Sequence, residues 1–508
     1  MLRHKGRIRR PTELGSSSMK LYFAFAGATA IAITAGAIGL QSLTHGTPAP
    51  PFTPDSNEGV FLVVTDIHFD PFTDASIVPR LQEGQPTGTG HHSWEQIFAG
   101  GTQSWPRWRS DANYTLTRSA LDTIHDLGMD YDYVLYTGDY LDHTFERQFG
   151  TIGESSKGTL EEFSVQTTAY INGQLEDVSS DAPVFGVIGN TDNACTDYVV
   201  RPNGAYLNDL SAPWDTLSGG SGTFTSFSLL GSYTVPHPTV ADQEIIVLNN
   251  IFWSHKFEED RGECLPTSQT PGESVLAWLE IQLHRLEHAN KTAQILLHMP
   301  PGISGYDTAN NITQRSSQRC EDWVEVYQTS YNERFIDLLN RHPGVVIQTF
   351  SGHSHMDSFT ILPNTLLRGR SVVSHITPAV SPVFENNPSF ALYLYDKVTG
   401  MVIDKAVYVL SNYDAVQAGT ARTPNWELEY TFRDAYGAPN MAANTMYTVA
   451  HAIQSDIGVS NRYASYYTAG SSVPQISPRN NTYTAAFACT LNNPTVASYE
   501  ACFCGTSD

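Results

Sequence analysis

Five short polar blocks, each closing an apolar run, constrain this chain more than any other feature. The blocks are Asp66-Ile67-His68, Gly138-Asp139, Gly189-Asn190, His298 and Gly352-His353-Ser354-His355. The runs before them span 60–65, 133–137, 183–188, 294–297 and 345–350. They are rich in β-branched and aromatic residues and bounded by Gly or Pro, so they read as buried core strands. In open α/β sheets, ligands gather beyond the carboxyl ends of the strands. The polar residue that ends each run is therefore where a site is expected.

The donor types narrow the chemistry. Carboxylates, imidazoles and one amide carbonyl are offered, and no thiolate. That set suits Zn, Fe or Mn rather than Cu(I) or an iron–sulfur cluster. A carboxylate can bridge two cations, and an Asn carbonyl adds a neutral oxygen that leaves the site net positive. Two cations about 3.5–4 Å apart hold a phosphate, lower the pKa of a shared water and stabilise in-line attack. The chemistry expected is hydrolysis of a phosphorus ester by a metal-bridging hydroxide.

The blocks DIHFD, TGDYLDH, GNTDN, HMPPG and GHSHMDSF resemble those of the calcineurin-like metallophosphoesterases. Within that family they are most similar to the acid-sphingomyelinase-like phosphodiesterases. The resemblance implies an α/β fold of the α+β type: a four-layer sandwich of two mixed β-sheets flanked by helices, with a C-terminal extension. It also implies Asp66, His68 and His355 on one divalent metal and Asn190, His298 and His353 on the other, with Asp139 bridging. In iron-dependent purple acid phosphatases a Tyr sits three residues after the bridging Asp. Here that position is Asp142, which favours two Zn2+ ions. In the sphingomyelinase-like group a His lies four residues after the bridging Asp. Here it is His143, which the resemblance assigns to the substrate phosphate or to protonation of the leaving group.

One position departs from the family. Most members read Gly-Asn-His, and that His is held to protonate the leaving oxygen; this chain has Thr191. Thr supplies no proton near neutral pH. Either His143 carries the acid role alone, or Asp192 contributes, or the leaving group needs little help. General acid catalysis is worth about 10²–10⁴-fold. His143, Asn190 and Thr191 are the residues expected to meet the substrate.

True acid sphingomyelinases carry an N-terminal saposin domain, for which the linker before the first block leaves no room. The expected substrates are thus soluble phosphodiesters, nucleotides or phosphocholine esters. An endopolyphosphatase-like enzyme that cleaves phosphoanhydrides is the alternative. A metal-binding pseudoenzyme that recognises phosphorylated ligands is a second.

Charge and cysteines bound the setting. The net charge is 29 − 52 = −23, which argues against a general nucleic-acid or anionic-membrane surface. Attraction for phosphate must be local, at the metals, and a monomer is expected. A basic patch at 3–10 and Lys20 precede an uncharged stretch over 21–43, whose apolar part 21–40 has the length of a membrane span. It reads as an uncleaved signal anchor with a cytoplasmic N-terminus or as a signal peptide cleaved near 35–37. Either route puts the rest of the chain outside the cytosol, secreted or lumenal. The six cysteines, Cys195, Cys264, Cys320, Cys489, Cys502 and Cys504, then suggest disulfides. Cys489 with Cys502 or Cys504 would staple the tail, and Cys264 with Cys320 could close a loop beside the site. Sequons at Asn113, Asn290, Asn311 and Asn480 suggest a glycoprotein.

The organisation follows. Residues 1–44 are the targeting segment, 45–58 a Pro-rich linker, 59–410 the catalytic domain and 411–508 a partly helical C-terminal extension. Residues 71–109 read as an irregular insert in which His91 and His92 are a solvated loop. Helices are expected over 111–127, 273–288 and 321–341. The last strands, over 359–362, 371–376, 390–395 and 402–409, are expected to extend the second sheet. His284 and His288 formally fit an inverted zinc-protease pattern but read as solvent-facing.

Overall fold

The computed structural model describes residues 49–505, apart from 89, 91, 154–158, 181, 194, 196, 221–223, 261–269, 316–317 and 365–367. The expected targeting segment 1–44, His91 and Cys264 therefore lie outside the described residues. Among the described residues no helix is long and apolar enough to cross a membrane.

Among the described residues, twelve strands make two six-stranded sheets. In chain order they are β1 (Glu58–Val64), β2 (Tyr133–Tyr136), β3 (Val184–Gly186), β4 (Tyr233–Pro236), β5 (Gln243–Leu248), β6 (Thr292–Leu297), β7 (Val346–Ser351), β8 (Ser358–Leu362), β9 (Val372–Ile376), β10 (Ser389–Asp396), β11 (Val402–Leu410) and β12 (Trp426–Thr431). The first sheet runs β12-β11-β10-β1-β2-β3 and the second β4-β5-β6-β7-β9-β8. β1, β2 and β3 are parallel to one another, as are β5, β6, β7 and β9. Parallel strands buried on both faces read as continuous apolar runs, which is why β1, β2 and β6 stand out in the sequence.

The inner faces pack on each other. Phe61 of β1 meets Phe350 of β7 edge to face at 5.3 Å, and Gln294 of β6 donates to the Tyr133 hydroxyl of β2 at 3.2 Å. Helices cover the outside. The helix Tyr114–Asp126 is capped by Asn113, whose side chain accepts from Leu116 N. The helix Leu160–Val178 starts on a Thr159–Glu162 capping box. On the other side, Pro271–His288 and Thr329–Arg341 bury Val275, Leu279, Leu283, Phe335 and Leu338.

Several expectations are corrected. β10 and β11 join the first sheet beside β1, not the second; sheet membership is set by non-local antiparallel pairing that apolar runs do not encode. The insert at 71–109 is not irregular: helices Val78–Glu83 and Trp94–Ala99 form there, and Trp94 is fully buried. The helix expected at 321–341 begins at Thr329, after a short 3-10 turn at Cys320–Asp322. Cys320 bonds Cys504, not Cys264, and Cys489 bonds Cys502. Asn113 is buried at its helix cap, so that sequon is closed to a glycan. His284 and His288 are exposed, as read.

Candidate metal centre

Parallel strands bring the five blocks to one end of the sandwich. Asp66 and His68 follow β1, Asp139 follows β2, Asn190 follows β3, His298 follows β6, and His353 and His355 follow β7. The loops are tied to one another: Asp66 N donates to Gly138 O, His68 N to Asp139 O, and Gly352 N to His298 O, each at 3.0 Å. Gly189 and Gly352 explain their own presence. A Cβ at Gly189 would collide with Asp139, and one at Gly352 with Thr65 and Asp66.

Asp139 Oδ2 lies 3.2 Å from His68 Nε2 and 3.2 Å from His298 Nε2. On one side, His68 Nε2 is 3.1 Å from His355 Nε2, and Asp66 Oδ1 is 3.4 Å from His355 Nε2. On the other, Asn190 Oδ1 is 2.9 Å from both His298 Nε2 and His353 Nδ1. All seven expected ligands thus meet in one cluster, six of them buried and His353 half-buried.

The far sides of two rings set their tautomers. His68 Nδ1 faces Leu141 O at 3.0 Å and His298 Nδ1 faces Thr137 O at 2.7 Å. Each Nδ1–H therefore donates to a carbonyl, and each Nε2 lone pair points inward, as metal-bound imidazoles require. The inward lone pair of His298 Nε2 and the amide oxygen of Asn190, 2.9 Å apart, cannot satisfy each other. A cation resolves that conflict. Tetrahedral ligands at about 2.0–2.1 Å lie about 3.4 Å apart, close to the spacings seen. The residues fit divalent metals.

The carboxylates draw positive charge to the same spot, as a cation or, without one, as protons on the imidazoles. Burial opposes ionisation of Asp139, yet the His298 and His68 imidazoles outweigh it and hold its carboxyl well below the usual range. Burial likewise opposes charge on His68 and His298, but Asp139 overrides it and lifts them to about 10 and about 9. His353 and His355 are pushed down, first by burial and then by the neighbouring imidazoles.

The residues around the ligands divide by what they touch. Thr191 N and Oγ1 reach Asp139 Oδ1 at 2.9 and 3.0 Å, which leaves Oδ2 for the two imidazoles. Asp192, considered for the acid role, has its carboxyl pushed up to about 7 by burial, and backbone donors surround it. It is fully buried, and its oxygens accept from the backbone N–H groups of Asp139, Tyr140, Leu141 and Gly189 at 2.7–3.2 Å. Its work is to hold the loops that carry Asp139 and Asn190.

His143 stacks on His68 with ring centroids 3.8 Å apart. Its Nδ1 is 3.0 Å from both oxygens of Asp111, and its backbone N also donates to Asp111. Burial works against ionisation of Asp111, but the His143 hydrogen bond prevails and keeps its carboxyl low. With Nδ1 held by Asp111, the other ring nitrogen makes no hydrogen bond among the described residues. A cleft of about 190 Å³ opens here, lined by His143, Arg147, Thr191, Asn193 and Asp197. Asp197 accepts from Asn190 Nδ2 at 2.8 Å, which turns the amide oxygen toward His298 and His353.

The family follows from the sequence that carries this cluster. Calcineurin-like phosphoesterase is the family description that matches residues 59–357, more than half of the chain. The chain belongs to the calcineurin-like phosphoesterase family. Residues 370–507 match the acid sphingomyelin phosphodiesterase C-terminal region. Human acid sphingomyelinase-like phosphodiesterase 3b is 25% identical over 81% of this chain and 84% of its own length. Bovine cyclic GMP-AMP phosphodiesterase SMPDL3A is 25% identical over 83% and 85%. A solved dimetal phosphatase from Danio rerio is 12% identical and covers 69% of this chain and 95% of its own, at a TM-score of 0.38. The chain is a phosphodiesterase whose metal-site residues are all in place. Its disulfides and its relatives fit a secreted or lumenal protein.

Sequence reasoning missed Asp111, Asp197 and a buried brace behind the last block. Asp357, two residues after His355, pairs with Lys405 of β11 and accepts from the Tyr430 hydroxyl of β12 at 2.6 Å. The helix Ile457–Tyr467 adds Tyr467 O, which accepts from Asp357 N at 3.0 Å. Strands and helices at the C-terminus thus hold the loop that presents His353 and His355. The one signal available was the Asp in GHSHMD, an acidic residue next to an apolar strand with no visible partner.

Proposed function

We propose that this phosphodiesterase hydrolyses soluble phosphodiesters with two zinc ions. One would be held by Asp66, His68 and His355, the other by Asn190, His298 and His353, with Asp139 shared. The observation that carries the reading is the position of Asp139 Oδ2, equally distant from an imidazole of each group. Bound there, the cations would supply Lewis-acid activation of water and of the phosphoryl oxygens. The chain's own residues do the rest. Thr191 fixes which oxygen of Asp139 faces inward. Asp111 orients His143 so that Nε2 addresses the leaving oxygen, the role that a His in place of Thr191 serves in most of the family. Asp192 has no part in proton transfer.

The relatives named above support phosphodiesters of nucleotide or headgroup size. We assign a monomer, secreted or lumenal, with residues 1–44 serving as anchor or cleaved signal. The domain division is at 410/411, with residues 411–508 as an extension that braces the site.

The test combines metal analysis with a substrate panel. Wild-type protein should hold two metal ions per chain and turn over a nucleotide phosphodiester or a phosphocholine ester. Asp139→Asn should lose most activity and most metal. Full metal content with wild-type turnover in that variant would overturn the shared role of Asp139. Cleavage of polyphosphate alone would overturn the substrate class.

A further inference from the structure

Seven large apolar side chains are exposed among the described residues, and only two of them are aromatic: Tyr306, 44% exposed, and Phe384, 41% exposed. They are 78 positions apart in sequence (384 − 306), yet their ring centroids are 6.5 Å apart. Phe384 stands edge-to-face against His355 at 4.6 Å and against His143 at 5.9 Å. The aromatic pair therefore forms one patch at the rim of the metal cluster, on the side of His143.

Phe384 is held there by a strapped loop. Ser381 N donates to Asp66 O at 3.1 Å, and Ser381 Oγ to Asp111 at 2.9 Å. Asn386 Nδ2 lies within 3.3 Å of the carbonyls of Ala379, Ser381 and Asn387. Glu385 sits at φ 67° and is gripped by Arg109, with Nε to Oε1 at 2.7 Å. A non-glycine residue in that region costs of order 1–3 kcal/mol and persists only where the surroundings fix it. The same loop hydrogen-bonds both the Asp66 loop and Asp111, the partner of His143, so the ring is fixed relative to the metal cluster and His143. An aromatic surface fixed in advance binds with little entropic loss.

We propose that Phe384 and Tyr306 are specificity-determining residues that stack a planar ring carried by the substrate, a nucleobase or an aryl group esterified to the phosphate. The proposal rests on the phosphodiesterase reading and adds its choice of substrate. The ring pair also suggests a quaternary ammonium, which aromatic faces attract. At Phe384 charge favours the planar ring: the carboxylate beside it, Glu385, is neutralised by Arg109, which is itself 73% exposed and repels a cation. Asp307, next to Tyr306, accepts from the neutral Ser304 Oγ at 2.7 Å, which does not cancel a carboxylate's charge, so a choline ester is the second arm of the test.

The experiment measures kcat and KM of the full metal-loaded chain on a dinucleoside monophosphate and on glycerophosphocholine. Stacking on an aromatic ring is worth about 1–3 kcal/mol per base, a factor of about 5–150. Phe384→Leu keeps apolar volume but removes the flat face. It should lower the kcat/KM ratio of dinucleotide over choline ester by that factor, chiefly through KM. Phe384→Trp should keep or raise the ratio. An unchanged ratio in Phe384→Leu and Tyr306→Leu, with wild-type metal content, overturns the proposal. A greater loss on the choline ester overturns it in favour of a cation site. Calorimetric titration with a nucleoside monophosphate separates this from the reaction reading. If wild type turns over neither ester, weaker binding by Phe384→Leu than by wild type still supports the stacking surface, and equal binding overturns it.

Discussion

Thr191→Val is the substitution that most directly tests how this site replaces the usual histidine. It keeps the side-chain shape and the backbone N–H that reaches Asp139 Oδ1 at 2.9 Å, and it removes only the hydroxyl at 3.0 Å. The other neighbour of that hydroxyl, Leu141 O, retains His68 Nδ1 as a donor at 3.0 Å. The hydroxyl has one proton to offer to Asp139 Oδ1 at 3.0 Å and Leu141 O at 2.8 Å, so the change deletes a donor that the shared carboxylate divides with Leu141 O, keeps the backbone donor, and leaves no other buried group orphaned. A hydrogen bond to a charged group contributes about 1.5–3 kcal/mol. Loss of such an outer partner of a metal ligand lowers metal affinity about 10–100-fold.

The assay is competition for metal with a graded chelator, read as metal per chain, alongside turnover of an aryl phosphodiester. Thr191→Val should release metal at roughly tenfold or more lower chelator concentration than wild type, with turnover recovering in excess metal. Thr191→Ser, which keeps the hydroxyl, should stay near wild type. Thr191→His restores the common family residue but lacks the hydroxyl, so it should bind metal less well whatever it does for the leaving group. Equal metal retention by Thr191→Val and wild type would refute the reasoning, because the hydroxyl would then have no bearing on Asp139.

Two further outcomes are expected. Asp111→Asn should slow turnover most for poor leaving groups, by up to about 10²-fold, and little for p-nitrophenyl esters; a uniform loss across leaving groups would mean that His143 only binds phosphate. Lys405→Met strands Asp357 in the interior, where both side chains are 4% exposed, and should cost about 3–5 kcal/mol by denaturant unfolding; recovery of most of that loss in Lys405→Met with Asp357→Leu would show that the unpaired charge, not lost packing, is responsible.

What the sequence disclosed and what it hid have physical reasons. The five blocks were legible because each follows a largely buried strand rich in β-branched and aromatic residues, and metal-ligating residue types cluster where that run stops. β4 and β5 escaped the same reading. β4 ends in Pro236, and β5 opens with Gln243 and Glu244, so neither gives a clean apolar run. The partner of β10 was misjudged because β1 (Glu58–Val64) and β10 (Ser389–Asp396) lie far apart in the sequence, with eight other strands between them. Asp111 and His143 are 32 positions apart with no motif between them, and only the folded loops bring them to 3.0 Å. Thr191 looked like a lost proton donor. Sequence shows which group is missing, whereas what the substitute contacts depends on where the Asp139 loop passes. Asp192 illustrates the converse. A carboxylate two residues from a ligand suggested chemistry, but four backbone N–H groups converge on it, and main-chain donors leave no trace in residue types.

The backbone at the ligands explains why the C-terminal brace matters for catalysis as well as folding. Asp66, His68, Asp139, His353 and His355 all sit at φ between 46° and 65°. They are five of the twelve non-glycine residues with positive φ among the described residues. Each such residue costs of order 1–3 kcal/mol, so the loops do not take this shape by local preference. They are forced into it by contacts on every side. Asp192 clamps the Asp139 turn, Asp66 accepts from His353 N at 3.1 Å, and Lys405 and Tyr430 hold Asp357 behind His355. Strain concentrated on the metal ligands, and offset by hydrogen bonds from distant strands, is what keeps imidazoles and carboxylates facing one another despite their mutual crowding. The second sheet supplies His298, His353 and His355 and the first supplies Asp66, His68, Asp139 and Asn190. A metal centre assembled this way is therefore only as well ordered as the packing between the two sheets.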